Sequence, residues 1–356
     1  MTTSRRVAVM ALLAACSGCT RGAPPSPTAE AVSEIAFVPL PKAPLGAQVD
    51  WQTLKEVTPD KVMLGRLLFF DPRLSADQTI SCASCHRSAN AFADRTPNSV
   101  GVHGRRGSRK TPTFVNGAWQ HRFERVFGWD GRAASLAAQS KAPIFNPEEM
   151  DNTSADVVAA IAQVEEYRER FQKVYPDKPI DIDDVADAIG AYMASRVSGN
   201  SAVDRFETGD KSALSDEAAR GRELFLGRAN CIRCHFSWTY TDSQFHNLGI
   251  GWNGAAFADP GRAAVTANVK DTGAFKTPAL RDVAKRAPYM HDGSMATLRE
   301  VIDHYDAGGA VNPWISDRLE PLGLSEAEKS SLVAFLNALD GEGYADPGPI
   351  KLPGSR

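Results

Sequence analysis

The chain has 356 residues, and none of its apolar runs is long enough to cross a bilayer as a helix. It also has no cationic surplus: 40 Lys and Arg stand against 43 Asp and Glu, a formal charge of −3. That balance gives no basic face and excludes a nucleic-acid partner as the working assumption. Cysteine is scarce, at six residues, so where those six fall carries information. With 43% hydrophobic and 23% charged residues the composition is that of an ordinary globular protein, and the length implies about two domains.

The N-terminus reads as an export segment rather than as part of the fold. Arg5 and Arg6 precede a short apolar run, Val7 to Ala15, followed by Cys16. Leu13-Ala14-Ala15-Cys16 is similar to a bacterial lipobox, in which the Cys is lipidated; simple cleavage a few residues later is the alternative. The expectation is a signal peptide over 1–15, lipidation at Cys16, and a flexible Pro-rich tether over 16–45. This makes the mature chain a periplasmic lipoprotein with a lipid anchor instead of a transmembrane helix. Loss of residues 1–15 removes two Arg and no acid, which takes the charge from −3 to −5.

The four remaining cysteines form two identical patterns, Cys82-Ala83-Ser84-Cys85-His86 and Cys231-Ile232-Arg233-Cys234-His235. C-x-x-C-H is the attachment signal for haem c: both sulfurs bond to the macrocycle and the His ligates iron from one side. With this supply of Cys and His, one such pattern is expected by chance about 0.002 times per chain. Two copies in an exported chain leave a redox CxxC or half of a zinc site as the weaker alternatives. Ahead of each motif stands G-R-x-L-F, in Gly65-Arg66-Leu67-Leu68-Phe69 and in Gly221-Arg222-Glu223-Leu224-Phe225. This suggests a repeated cytochrome c module whose apolar residues pack on the haem.

Helical periodicity dominates the rest. Val157, Ile161, Val164 and Phe171 share a face after Ser154, and Val185, Ile189, Tyr192 and Met193 mark another helix. Ser215 and Ser325 are suitable helix starts, the latter with capping-box spacing to Glu328. Long Gly- and Pro-rich stretches, 92–118 and 246–278, intervene, and loops of that length usually wrap a cofactor or build a site. The fold class expected is mainly α, with two cytochrome c-like haem domains at 46–205 and 206–356 and long haem-wrapping loops.

With both motifs placed, the chain resembles the bacterial dihaem cytochrome c peroxidase and MauG family over nearly all of its mature length. The matching stretches are "LFFDPRLSADQTISCASCH", "TPTFVNGAW", "GWDGRAASLAAQ", "NPEEM", "FHNLGIG", "FKTPALRDV" and "APYMHDGS". The resemblance implies a peroxidatic haem in the N-terminal domain and an electron-transfer haem in the C-terminal one. Trp129 corresponds to an indole that relays charge between them, although a lone Trp is more often a core aromatic. Glu149 corresponds to the carboxylate over the peroxidatic haem, with Glu148 its solvated neighbour and Gln139 and Pro143 shaping the same side. His103 lies where some members carry a loop His that caps the first iron; MauG-like members leave this position open, and a solvated loop His is the alternative. Lys110 stands where the family usually presents an Asn to an interdomain calcium. An ammonium has no lone pair for a cation, so no calcium is expected there.

The sixth ligand of the second haem is expected on the segment "HDGSMATLREVIDHY". In the peroxidases a Met ligand lies 14 residues after the His of the P-Y-x-H-x-G motif. Here that position is Tyr305, and MauG is similar in having Tyr there. Met290 and Met295 are off-register competitors. Tyr305 also shares a helical face with Leu298, Val301 and Ile302, so a hydrogen-bonded core tyrosine is the bland alternative. His304 is expected to be exposed, and His246 to sit beside the ligands rather than among them. A phenolate favours oxidised iron, so the expected function is MauG-like: cleavage of hydrogen peroxide and oxidation of a partner protein's side chains. The alternatives are a peroxidase fed by a small cytochrome c or cupredoxin, and a cytochrome that only carries electrons. Against the first reading, MauG's surface Trp two residues before its second CxxCH is Ala229 here, leaving Trp238, Tyr240 or Trp252 as exit points.

Overall fold

Short hydroxyl and carboxylate side chains set most of the helix starts. In the computed structural model, which describes residues 39–120 and 126–355, the helices are α1 (Pro59–Phe69), α2 (Cys82–Cys85), α3 (Leu136–Phe145), α4 (Ser154–Ala162), α5 (Glu165–Val174) and α6 (Ile182–Ala194). They continue with α7 (Ala202–Glu207), α8 (Asp216–Leu226), α9 (Ala263–Thr266), α10 (Leu298–Asp306) and α11 (Glu326–Asn337). Thr58, Ser135, Thr153, Asp181, Ser201, Ser215, Thr297 and Ser325 each accept a hydrogen bond from a first-turn N–H. One short antiparallel pair, β1 (Phe245–Asn247) and β2 (Ala274–Lys276), registers His246 against Phe275. The signal segment, Cys16 and most of the tether lie outside the described residues. Among the described residues no helix is long and apolar enough to cross a membrane.

The segment after Ser154, read as one amphipathic helix, is two. Val164 adopts extended geometry (φ −91°, ψ 116°) and caps α5. Glu165 and Glu166 in the next turn favour a fresh N-terminus, where the helix dipole is positive. Val157, Ile161 and Phe171 are still buried together.

The repeated G-R-x-L-F has a structural reason at its glycine. A Cβ on Gly65 of α1 would lie 1.8 Å from the Ala188 carbonyl oxygen of α6. A Cβ on Gly221 of α8 would lie 1.8 Å from the Ser331 carbonyl oxygen of α11. Only glycine lets the two backbones approach this closely, so each half contains one tight helix crossing at the same motif position. The motif's Phe lies beside each crossing: Phe69 is buried among Phe92, Phe114 and Tyr192, and Phe225 packs on Phe335 with ring centroids 5.0 Å apart.

Two groups of helices follow from these crossings. In the first, α6 packs on α1 and α3; in the second, α8 and α10 pack on α11. Val203 of α7 joins the second core with Phe225, Leu298, Ile302, Leu332 and Phe335. The neighbouring Asp204 is locked to Arg281 by two hydrogen bonds of 2.7 Å. After α11 the chain returns to the first group. Buried Asp346 accepts two 2.8 Å bonds from Arg66 of α1 and one of 2.9 Å from the Tyr192 hydroxyl of α6.

Candidate dihaem site

The two C-x-x-C-H motifs have the same local geometry. In each, the His N–H donates to the carbonyl of the first Cys, 2.9 Å in both. Each imidazole is then held at Nδ1 by a backbone carbonyl: His86 to Phe92 at 2.8 Å and His235 to Tyr240 at 3.0 Å. With Nδ1 carrying the proton, Nε2 keeps its lone pair for a metal. Desolvation by the surrounding protein outweighs those carbonyls and lowers both His pKa values, that of His235 to about 4, so both rings are neutral at pH 7. The same desolvation pushes the Cys82 and Cys231 thiols up to about 12 and Cys85 to about 11, which is unlike a reactive or zinc-ready thiolate.

Each motif opens on a cavity. The first, about 960 Å³, is lined by Cys82, Cys85, His86, Phe69, Phe114, Gln139, Pro143 and Glu149, all from the N-terminal half. The second is lined mainly by apolar side chains, with Cys231, Cys234, His235, Phe225, Leu298, Val301, Ile302 and Tyr305 on its walls. Two Cys and a lone-pair imidazole on the wall of each cavity, backed by aromatic rings, fit one haem per site.

Trp129 and His291 line both cavities. The Trp129 indole N–H donates to the Lys110 carbonyl at 2.7 Å, and its own carbonyl accepts from Lys276 N–H at 2.8 Å. His291 stacks on Phe275 with ring centroids 3.5 Å apart and lies 6.5 Å from the Trp129 ring. This wall of rings is held by Arg109, which bridges Asp130 (2.7 Å) and Asp259 (2.6 and 2.8 Å).

Glu149 lines the first cavity, with Oε1 accepting from Asn146 Nδ2 at 2.7 Å, and burial raises its pKa above the usual carboxylate range. Glu148 beside it is exposed. Gln139 and Pro143 line the same wall from α3. His103 stands outside this lining. It is exposed, has a left-handed φ of 55°, and its Nδ1 lies 3.7 Å from Asp77 Oδ2, so a capping role would require its loop to move inward.

On α10 the stripe Leu298, Val301, Ile302 and Tyr305 faces the second cavity. Tyr305 is close enough to Cys231 and Cys234 to feel both thiols, and burial pushes its pKa up. Among the described residues none hydrogen-bonds its hydroxyl, unlike Tyr167 and Tyr192, whose hydroxyls bond carboxylates at 2.7 and 2.9 Å. Met290 lines both cavities, whereas Met295 lines neither and serves a backbone bridge to Tyr289. His304 is not exposed as the sequence suggested: it is half-buried, with Nε2 bonded to the Leu248 carbonyl at 2.9 Å, because the loop before β2 folds over that face of α10.

Sequence reasoning did not foresee the Asp242–His246–Arg318 cluster at the second site. His246 bonds Asp242 at 2.9 Å and its pKa rises to about 9; Arg318 bonds the same carboxylate at 2.9 Å and approaches the Cys234 sulfur. No local spacing marks the Arg318 contact, 76 residues away from Asp242.

Paired cavities, each with two cysteines and one imidazole, and one aromatic wall common to both define a two-haem cytochrome. A family model described as di-haem cytochrome c peroxidase matches residues 59–212. The chain is 39% identical to the methylamine utilization protein MauG of Methylorubrum extorquens over 302 residues, covering 83% of this chain and 82% of that protein. It is 32% identical to the cytochrome c551 peroxidase of Pseudomonas aeruginosa over 305 residues, covering 84% of each. The crystal structure of a MauG-like protein associated with microbial copper homeostasis superposes with a TM-score of 0.74 at 31% identity, covering 88% of this chain and 96% of that one. The chain belongs to the dihaem cytochrome c peroxidase and MauG family; it is a haem peroxidase with two haem cofactors.

Proposed function

We propose that this peroxidase works in the MauG manner: peroxide is cleaved at the first site, and the oxidising equivalents pass by way of Trp129 and a second haem held by His235 and Tyr305 to a partner protein. The observation that carries this reading is the Tyr305 hydroxyl, without a hydrogen-bond partner among the described residues, in the cavity that contains Cys231, Cys234 and His235. The proposal includes covalent attachment through Cys82, Cys85, Cys231 and Cys234, haem-binding halves at 46–205 and 206–356, and an exported chain held in the periplasm by a lipid at Cys16.

When bound, the haems supply iron and the two electrons that cleaving the O–O bond of peroxide requires. His86 and His235 present Nε2 as ligand, each ring fixed in that tautomer by the carbonyl at Nδ1. Glu149 takes the proton from one peroxide oxygen and returns it to the other, which leaves as water. Burial makes the protonated intermediate state of this carboxyl accessible, and Asn146 holds Oε1 in place meanwhile. Trp129, on the wall of both cavities, is the relay.

A second reading, a peroxidase that reduces hydrogen peroxide with electrons from a small cytochrome c or cupredoxin, is favoured by two observations. Met290 offers a thioether to the second cavity, and the residue two before the second CxxCH is buried Ala229, not a Trp. Glu149 on the first cavity speaks against a carrier without catalysis. Mixing peroxide with the fully ferric protein separates the first two readings. We expect a prompt spectral change at both haems without any reductant; silence until one haem is reduced would sink the MauG-like reading.

The proposal extends to calcium. Lys110 is buried and donates its ammonium to the Asp94 carbonyl, an oxygen of the kind a calcium would otherwise recruit. Burial brings its pKa down to about 8. We expect metal analysis of the purified protein to find no calcium, and one tightly held calcium per chain would contradict this.

A further inference from the structure

The first cavity has two buried cations on its wall, and among the described residues no carboxylate hydrogen-bonds either of them. Arg286 is 8% exposed; its Nη2 donates to the Ala279 carbonyl at 2.6 Å, and its Nε, shut off from solvent, has no partner among the described residues. Lys110, 3% exposed, donates among the described residues only to the Asp94 carbonyl. Both line the same cavity, and Arg286 is close enough to oppose the charge on Lys110. Asp282 is the carboxylate whose field Arg286 feels most, yet its Oδ1 is taken by the Gly341 N–H at 2.8 Å and it makes no hydrogen bond to the guanidinium. Asp340, Tyr289 and Tyr344 act on Arg286 more weakly still. Two buried like charges on one cavity wall, neither hydrogen-bonded to a carboxylate among the described residues, call for an anion from the cavity itself.

The group seated by Cys82, Cys85 and His86 brings such anions, because haem carries two propionate carboxylates. We propose that Arg286 is the receptor for one propionate of the first haem, through the terminal N–H groups of its guanidinium, with Lys110 as the second cation neutralised by the same group. The two-pronged guanidinium suits a carboxylate, and the pairing fixes the haem's rotation about its Cys82–Cys85 edge. This rests on a haem occupying the first cavity and is independent of which reductant or partner protein the enzyme serves.

The test uses the full exported chain, with pyridine haemochrome required to count two haems. Arg286→Gln should make the first haem's potential more negative, since a cation that favoured the reduced form is lost, and should move the second haem's less, Arg286 acting on His235 only as a minor contribution. The freed propionate should titrate, so the potential becomes pH-dependent between roughly pH 5 and 7. The propionate bending band in the resonance Raman spectrum should shift. Arg286→Lys should keep most of the potential but still shift the band, because a point donor replaces a fork. If both variants hold two haems and leave band and potential unchanged, the assignment is overturned. If Arg286→Gln fails to assemble, Arg286→Lys decides alone: a shifted band supports the pairing and an unchanged one refutes it. The same band shift in Asp282→Asn would give the guanidinium to Asp282 and also refute it.

Discussion

Replacing Tyr305 by Met is expected to turn the second haem into a high-potential centre and to stop the fully ferric protein from reacting with peroxide. The physical reason is the charge of the ligand. A phenolate stabilises oxidised iron, whereas a thioether favours the reduced form, and axial ligands together tune haem potentials over about 0.8 V. In the protein alone burial and the two neighbouring thiols disfavour the phenolate, raising the pKa of Tyr305. A ferric ion held there would invert that balance, as bound cations do for coordinating acids. Spectropotentiometry should show a rise amounting to a substantial part of that span, and stopped-flow mixing should then need one haem reduced beforehand. Tyr305→Phe, which keeps the ring and removes only the hydroxyl, should change the second haem's spectrum without creating a new ligand. If neither variant alters that spectrum, Tyr305 is a packing residue on the α10 stripe and Met290 becomes the candidate ligand.

Glu149→Gln should slow peroxide cleavage by roughly 10² to 10⁴, the usual range for loss of a positioned acid–base group. The amide still fits against Asn146 but can neither take nor return a proton. The pH profile provides a second readout. Glu149 must be ionised to accept the first proton, and burial raises its pKa, so wild-type activity should rise as pH increases through that raised value. The variant should lose this limb along with its rate. Glu148→Gln, at the exposed neighbour, should leave both nearly unchanged. A Glu149→Gln enzyme with wild-type rate and pH profile would remove the carboxylate from the mechanism.

Much of the site was readable because its parts are short-range. The spacing of Cys82, Cys85 and His86, and of Cys231, Cys234 and His235, is set within five residues, and the tautomer-fixing reach to Phe92 and Tyr240 spans only six and five. The stripe ending at Tyr305 follows from helical periodicity alone. What was misread or missed depends on distant chain. His304 looks solvent-facing on its helix, yet a loop 56 residues away covers it. The Asp346 return onto Arg66 spans 280 residues and has no local signature.

By itself, then, the sequence determined two C-x-x-C-H haem motifs and their order, because each is encoded within five residues; Glu149 and Tyr305, on which the chemistry is proposed to turn, were reached through resemblance to the family. Only the tertiary structure decided that Gly65 and Gly221 serve equivalent helix crossings, that Trp129 and His291 line both cavities, and that Arg286 and Lys110 share one cavity as buried cations. Those facts concern what lies across a gap from what. Local propensity has no access to them, since the contacts join residues far apart in the chain and are settled by packing.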